Sequence, residues 1–225
     1  MSAEDPGSGP SQPPPAPSQP PAAPTAGGPG VVIPPNPDHP VRLDLAFVPE
    51  SSREKALLRI ITVIPPLLYG VVMSFVFLLR WIQVWFSVLT SGKVPRDAFD
   101  FMVSFLRWGA WLNAYMLLAT DLAPPYTLDD TSGSPVTYEI PYTEDVPNWR
   151  ALIPWWGSFW AGVALYFIYL GAFVMSVVAW WTIVVNQARR PEGSFRFTVI
   201  TLRWAARVGA YQSLMTNERP PLIWQ

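Results

Sequence analysis

The chain repeats itself, and the repeat limits its possible folds more than any other feature. Residues 95 to 125 recur at 191 to 221 without a gap. Pro95, Phe99, Phe101, Val103, Leu106, Arg107, Trp108, Ala110, Ala114, Tyr115, Leu118, Thr120, Pro124 and Pro125 each meet the same residue type 96 positions later. Self-similarity at a fixed period marks stacked or paired copies of one structural unit. Each recurring stretch follows a long apolar run. Between Arg59 and Lys93 the only charged residue is Arg80, and between Arg150 and Arg189 there is none. A bilayer core of about 30 Å needs about 20 apolar helical residues, so both runs read as transmembrane helices, about 60–89 and about 155–185. Trp155, Trp156 and Trp160 mark one end of the second run, and Trp180 and Trp181 the other, as aromatic belts would.

A short alternating segment precedes each run. Val41, Leu43, Leu45 and Phe47 alternate with polar or small residues, and so do Val136, Tyr138, Ile140 and Tyr142. Period-two alternation is a strand signal. Two short strands in equivalent places can pair, but an isolated pair needs support from the rest of the protein. The expected unit is therefore strand, apolar helix, proline turn, second helix and a Pro-Pro stop. Copy one covers 40–128 and copy two 135–225, with a linker at 129–134. Residues 1–39 are rich in Pro, Gly, Ser and Ala and read as a disordered tail with polyproline character. Pro13 to Pro21 would suit a proline-binding module.

The second helix of each copy, about 97–120 and about 193–216, carries a polar stripe. Asp100, Arg107 and Trp111 lie on one side of the first, and Arg196, Arg203 and Arg207 on the same side of the second. Arginine at mid-bilayer is costly, so both read as amphipathic interfacial helices. A four-crossing bundle with its arginines turned inward is the alternative. The fold class expected is an all-α membrane protein with two transmembrane helices, two interfacial helices and two short strands.

Charge orders these pieces. Arg53, Lys55 and Arg59 precede the first span, six acids and no base lie between Asp121 and Pro147, and six arginines follow the second span. Under the positive-inside rule both termini are cytoplasmic and residues 92–156 lie outside. The expected location is the cell's inner (plasma) membrane, with the chain crossing more than once.

The residues "WFSVLTSGKVPRDAFDFMVSFLRWGAWLNAYMLLATDLAPPYTL" resemble a bacterial membrane family, domain of unknown function 4389 (DUF4389). The resemblance rests on Gly92, Pro95, Arg96, Phe99, Asp100, Phe101, Arg107, Trp108, Tyr115, Thr120, Asp121, Pro124, Pro125 and Tyr126. It covers about 40–128 well and 135–222 as a drifted copy. Trp111 stands where the family often has a second arginine, kept as Arg207 in the second copy. Asn217 replaces the Asp, and Leu222 the aromatic. The resemblance implies a membrane location and no activity, and if the Asp binds something, the first copy alone would do so.

Composition removes several chemistries. There is no cysteine and one histidine, His39, so no thiol nucleophile, Cys-ligated metal or cluster of histidine ligands is available. Net charge is −1, which gives no basic field for nucleic acid. No catalytic residue, cofactor or metal is assigned. Arg107, Trp108, Arg203, Trp204 and Arg207 are candidate contacts to lipid headgroups, and Arg80 is a charge inside the first span that can snorkel. Asp97 is expected to cap the helix after Arg96. Gly162 and Gly171 offer close helix approach. The expectation is a non-catalytic accessory or scaffold subunit whose partners are membrane lipids and a protein or a second copy. A lipid-binding or transport component is the alternative.

Overall fold

The computed structural model describes residues 39–152, 159–185 and 189–220. In chain order the elements are β1 (Arg42–Leu45), α1 (Arg53–Thr62), α2 (Ile64–Ser91), α3 (Arg96–Met116), β2 (Val136–Glu139), α4 (Trp149–Leu152), α5 (Phe159–Val185) and α6 (Glu192–Gln212). The protein is mostly helical. The proline-rich tail lies outside the described residues.

The first apolar run divides in two. Ser52 is extended and its hydroxyl accepts from the Lys55 N–H, which starts α1. Pro65 and Pro66 then fall in the first turn of α2, where a missing N–H costs nothing. The two helices meet at Val63, which keeps helical dihedrals. α2 ends at Gly92, whose φ of 70° is left-handed. A Cβ there would sit 2.7 Å from the Asn148 side chain, so glycine is required twice over. Pro95, not Asp97, is the N-cap of α3. Proline has fixed the turn, and Asp97 sits in the first helical turn.

α2 and α5 are long and apolar enough to cross a membrane, and only 11% of the most apolar window in each is buried within the protein. α3 does not leave α2 after the turn. Gly70 lies under Trp108, Phe77 stacks 4.8 Å from Phe105, and Arg80 reaches Asp97. Rising numbers on α2 meet falling numbers on α3, so the two form an antiparallel hairpin. α5 and α6 do the same, with Gly162 against Gln212 and Gly171 against Phe197.

β1 and β2 pair antiparallel, with Leu43 opposite Tyr138. These two are themselves copy equivalents, 95 residues apart, so a pseudo-twofold axis passes through their pair. Val41, Leu43, Leu45 and Phe47 are all buried, and so are Val136, Tyr138 and Ile140. The support that two lone strands need comes from α3 and α6, on which the hairpin lies. The layers are then hairpin, α3 with α6, and α2 with α5.

The copies are interleaved. The Trp85 indole on α2 donates to the Ala151 carbonyl on α4, and the Trp180 indole on α5 donates to the Ala56 carbonyl on α1. Phe47 packs on Phe195, and Tyr142 on Phe99. The Val94 N–H donates to Glu144, and the Arg190 N–H to Pro49. Each copy's strand and short helix therefore rest on the other copy's long helices.

One expectation fails here. The charge order puts residues 92–156 on one side of a membrane, away from the first span's entry and the second span's exit. Asp121, within that segment, is ion-paired with Arg59 at that entry and with Arg190 just past that exit. The reason is that α3 doubles back along α2 and returns the chain to the end where α2 began.

Candidate functional site

The densest polar cluster forms where α3 ends. After Met116 the backbone closes with the Ala119 N–H on the Ala114 carbonyl and the Leu118 N–H on Tyr115. Leu118 takes a left-handed φ of 58°, a place usually filled by glycine. The same closure recurs after α6, with Leu214 at 61° and Met215 bonded to Ala210. Both turns leave helix-end carbonyls facing inward, where the helix dipole is negative.

A guanidinium meets each of them. Arg59 donates 2.7 Å to the Tyr115 carbonyl and 2.8 Å to Asp121, and lies 4.5 Å over the Tyr115 ring. Arg190 donates to the carbonyls of Leu118 and Val48 and, at 3.1 Å, to the same Asp121 oxygen. Asp121 also accepts from the Ser51 hydroxyl and, at 3.0 Å, from the Ser52 N–H. At the far end Arg150 repeats the arrangement. It donates to the carbonyls of Tyr211 and Thr216 and to the Asn217 side chain, and lies 4.1 Å over the Tyr211 ring.

Burial pushes the Asp121 carboxyl up, but the Ser52 N–H, Arg190, Ser51 and Arg59 together hold it below its ordinary value. Burial lowers both guanidiniums, and Asp121 offsets part of that. A carboxylate offers about four lone-pair directions, and four groups of the chain itself fill them. The cluster is therefore a closed clasp that ties the β1–α1 turn, the end of α3 and the α5–α6 turn together. It has no lone pair left for a metal or a substrate proton. No group of three His, Cys, Asp or Glu residues placed to hold a metal occurs among the described residues.

The residues singled out from the sequence fall elsewhere. Arg80 is half-exposed, paired with Asp97 at 2.8 Å and bonded to Gln83. Arg107 is half-buried near Tyr138, whose hydroxyl is raised by burial and slightly eased by that charge. Trp108 is buried, and its indole donates to the Pro125 carbonyl. Trp204 is buried in the matching place. Arg203 is buried under β1, donating to the Leu43 carbonyl and to Asp44. Arg207 is buried beside Arg203, with its Nε and one terminal nitrogen unpartnered among the described residues. Much of the arginine stripe of α6 thus faces the hairpin. Gly162 and Gly171 are occupied by the packing of α6 on α5.

Arg59, Arg150 and Arg190 hold these clusters, although in the sequence they stand only as charges bordering the apolar runs. The signal was present, since an arginine stands shortly before each apolar run and a Tyr at each equivalent helix end.

Grooves open between the layers among the described residues. One, about 360 Å³, lies on the pseudo-twofold axis between α2, α3 and α6, with Leu43 and Tyr138 at its back. Another, about 420 Å³, lies between α1, the end of α3 and α5, and has Arg59 in an otherwise apolar wall.

No curated protein and no solved structure matches the chain. Residues 53–127 and 158–223 each match one family, one stretch per copy, and together they span more than half the chain. The chain therefore belongs to the family described as Domain of unknown function (DUF4389), which it carries as a tandem pair.

Proposed function

We propose that the protein is a non-catalytic accessory or scaffold subunit residing at the cell's inner (plasma) membrane, both termini on the cytoplasmic side. The observation that carries this is the apolar surface of α2 and α5. Phe75, Leu79, Phe86, Phe167, Val174 and Trp181 are all at least half exposed, on helices that the rest of the fold scarcely covers. Soluble proteins rarely leave so large a continuous apolar face uncovered. The polar groups support a scaffold rather than an enzyme, because the best-formed cluster is saturated by its own chain. Extraction in mild detergent followed by mass spectrometry tests this. A stoichiometric protein partner, or a second copy, is expected to stay bound.

A second reading, binding of a lipid or another amphiphile, is favoured by the groove beside Arg59, which joins an apolar wall to a buried cation. One lipid class retained at one molecule per chain, with no protein partner, would replace the first reading by the second.

A further inference from the structure

The molecule is amphipathic across its layers, not along its length. The outward face of the hairpin carries Arg42 and Glu139, exposed and directly opposite each other, with Asp44 and Thr137 beside them. The layer farthest from the hairpin is α2 and α5, and Arg80 is the one charged residue in those two helices.

The long elements all run along one axis. β1 starts near Glu218, past the end of α6, and its strand leads to Pro49 beside Arg190, at the start of α6. Setting α2 and α5 across a bilayer would therefore set the hairpin across it too. Arg42 and Glu139 would lie at mid-depth. The sheet has only two strands, so each has one edge with no strand beside it, and on β1 Arg203 covers the Leu43 carbonyl of that edge. Open sheet edges are not tolerated against hydrocarbon, because their N–H and C=O groups find no partner there.

Resting on the membrane residence proposed above, we infer that the protein lies flat in a single leaflet. α2 and α5 run parallel to the membrane plane with their outer faces in the acyl chains. The hairpin faces water, and the pseudo-twofold axis stands along the membrane normal. The partner surface is one leaflet of a phospholipid bilayer. Both ends of the molecule then meet the same water phase: Glu50, Arg53 and Lys55 at one, Lys93, Glu144 and Asp145 at the other. An interfacial position also suits the polar stripes of α3 and α6, which point at the wet layer and not at lipid.

The chain has no cysteine, so Glu50→Cys, Glu139→Cys and Glu144→Cys each give one reporter thiol at an exposed position. Sealed membrane vesicles from cells making the full chain are treated with a membrane-impermeant maleimide before and after detergent. All three thiols are expected to behave alike before detergent: reactive in inverted vesicles, whose cytoplasmic face is outward, and protected in right-side-out vesicles until detergent is added. Glu50→Cys and Glu144→Cys reacting from opposite sides would overturn the flat orientation and leave membrane residence standing. Recovery of the chain in the soluble fraction without detergent would defeat membrane residence itself.

Discussion

Asp121 accepts from four donors and faces two buried guanidiniums, whereas the residue in the same place of the second copy, Asn217, faces one. The charge follows the number of cations. Arg190 approaches from the α5–α6 turn, and its counterpart at the α2–α3 turn is Val94. With one arginine to satisfy, a neutral amide suffices, and its NH₂ group also reaches the Asp145 carbonyl. Asp121→Asn would leave Arg59 and Arg190 buried without a counter-ion. Loss of one partner from a buried ion pair costs about 3–5 kcal/mol, and the variant is expected to melt well below the parent in the same detergent. Acid should act the same way. A carboxyl held below its ordinary value binds its proton more weakly in the fold than in the unfolded chain. Its stabilisation is complete above the ordinary carboxylate range and declines as pH falls below about 4. It is gone once pH drops under the lowered value. The parent should lose thermal stability as pH falls below about 4, and Asp121→Asn should show a flatter dependence there.

At the scale of elements, the α2–α3 and α5–α6 hairpins depend on a few small residues. A Cβ on Gly70 would meet the Trp108 ring at 2.9 Å. That ring cannot retreat easily, since its indole is bonded to Pro125 and Tyr69 packs edge-on against it. Gly70→Ala is expected to destabilise by about 1–3 kcal/mol through overpacking. Gly109 has nothing within 4 Å of such a carbon. Gly109→Ala should be neutral or raise stability by about 0.5–1 kcal/mol through backbone entropy. Thermal melts of the two variants side by side decide this, and equal effects would count against the packing account. Both strands and all four long helices were legible in the sequence, because alternation and apolar length are local signals. The cap of α3 was not. Asp97 has capping chemistry, yet Pro95 already fixes the extended conformation, which left Asp97 free to pair with Arg80. The destination of the α6 stripe was not legible either. Arginines that meet headgroups and arginines that meet strand carbonyls leave the same pattern on a helical wheel, and only the position of β1 separates them.

At the scale of the molecule, duplication predicted a pseudo-twofold but not how its halves connect. Charge order suggested two units side by side, threaded oppositely. Instead the halves exchange parts: β1 and α1 serve the second copy's long helices, and β2 and α4 serve the first copy's. Sequence could not show this, because the contacts that do it join backbone carbonyls to two tryptophans, Trp85 and Trp180, that read equally well as membrane-interface anchors. Interleaving has a consequence for folding. A copy alone would lack a partner strand, a short helix over its long one, and one side of the Asp121 clasp. The second copy expressed alone, residues 135–225, is therefore expected to give no cooperative melt and no stable species in detergent. The linker between the copies is exposed at Thr131, Ser132 and Gly133, and nothing lies within 4 Å of a Cβ placed on Gly133. Cutting there removes a tether and no packing. Residues 1–131 and 132–225, produced together as two chains, should assemble one to one and co-purify through a tag on either half. Asp121→Asn in the first half should weaken that association, since Arg190 belongs to the second. Halves that fold and purify independently of each other would show that the crossed contacts do not hold the molecule together.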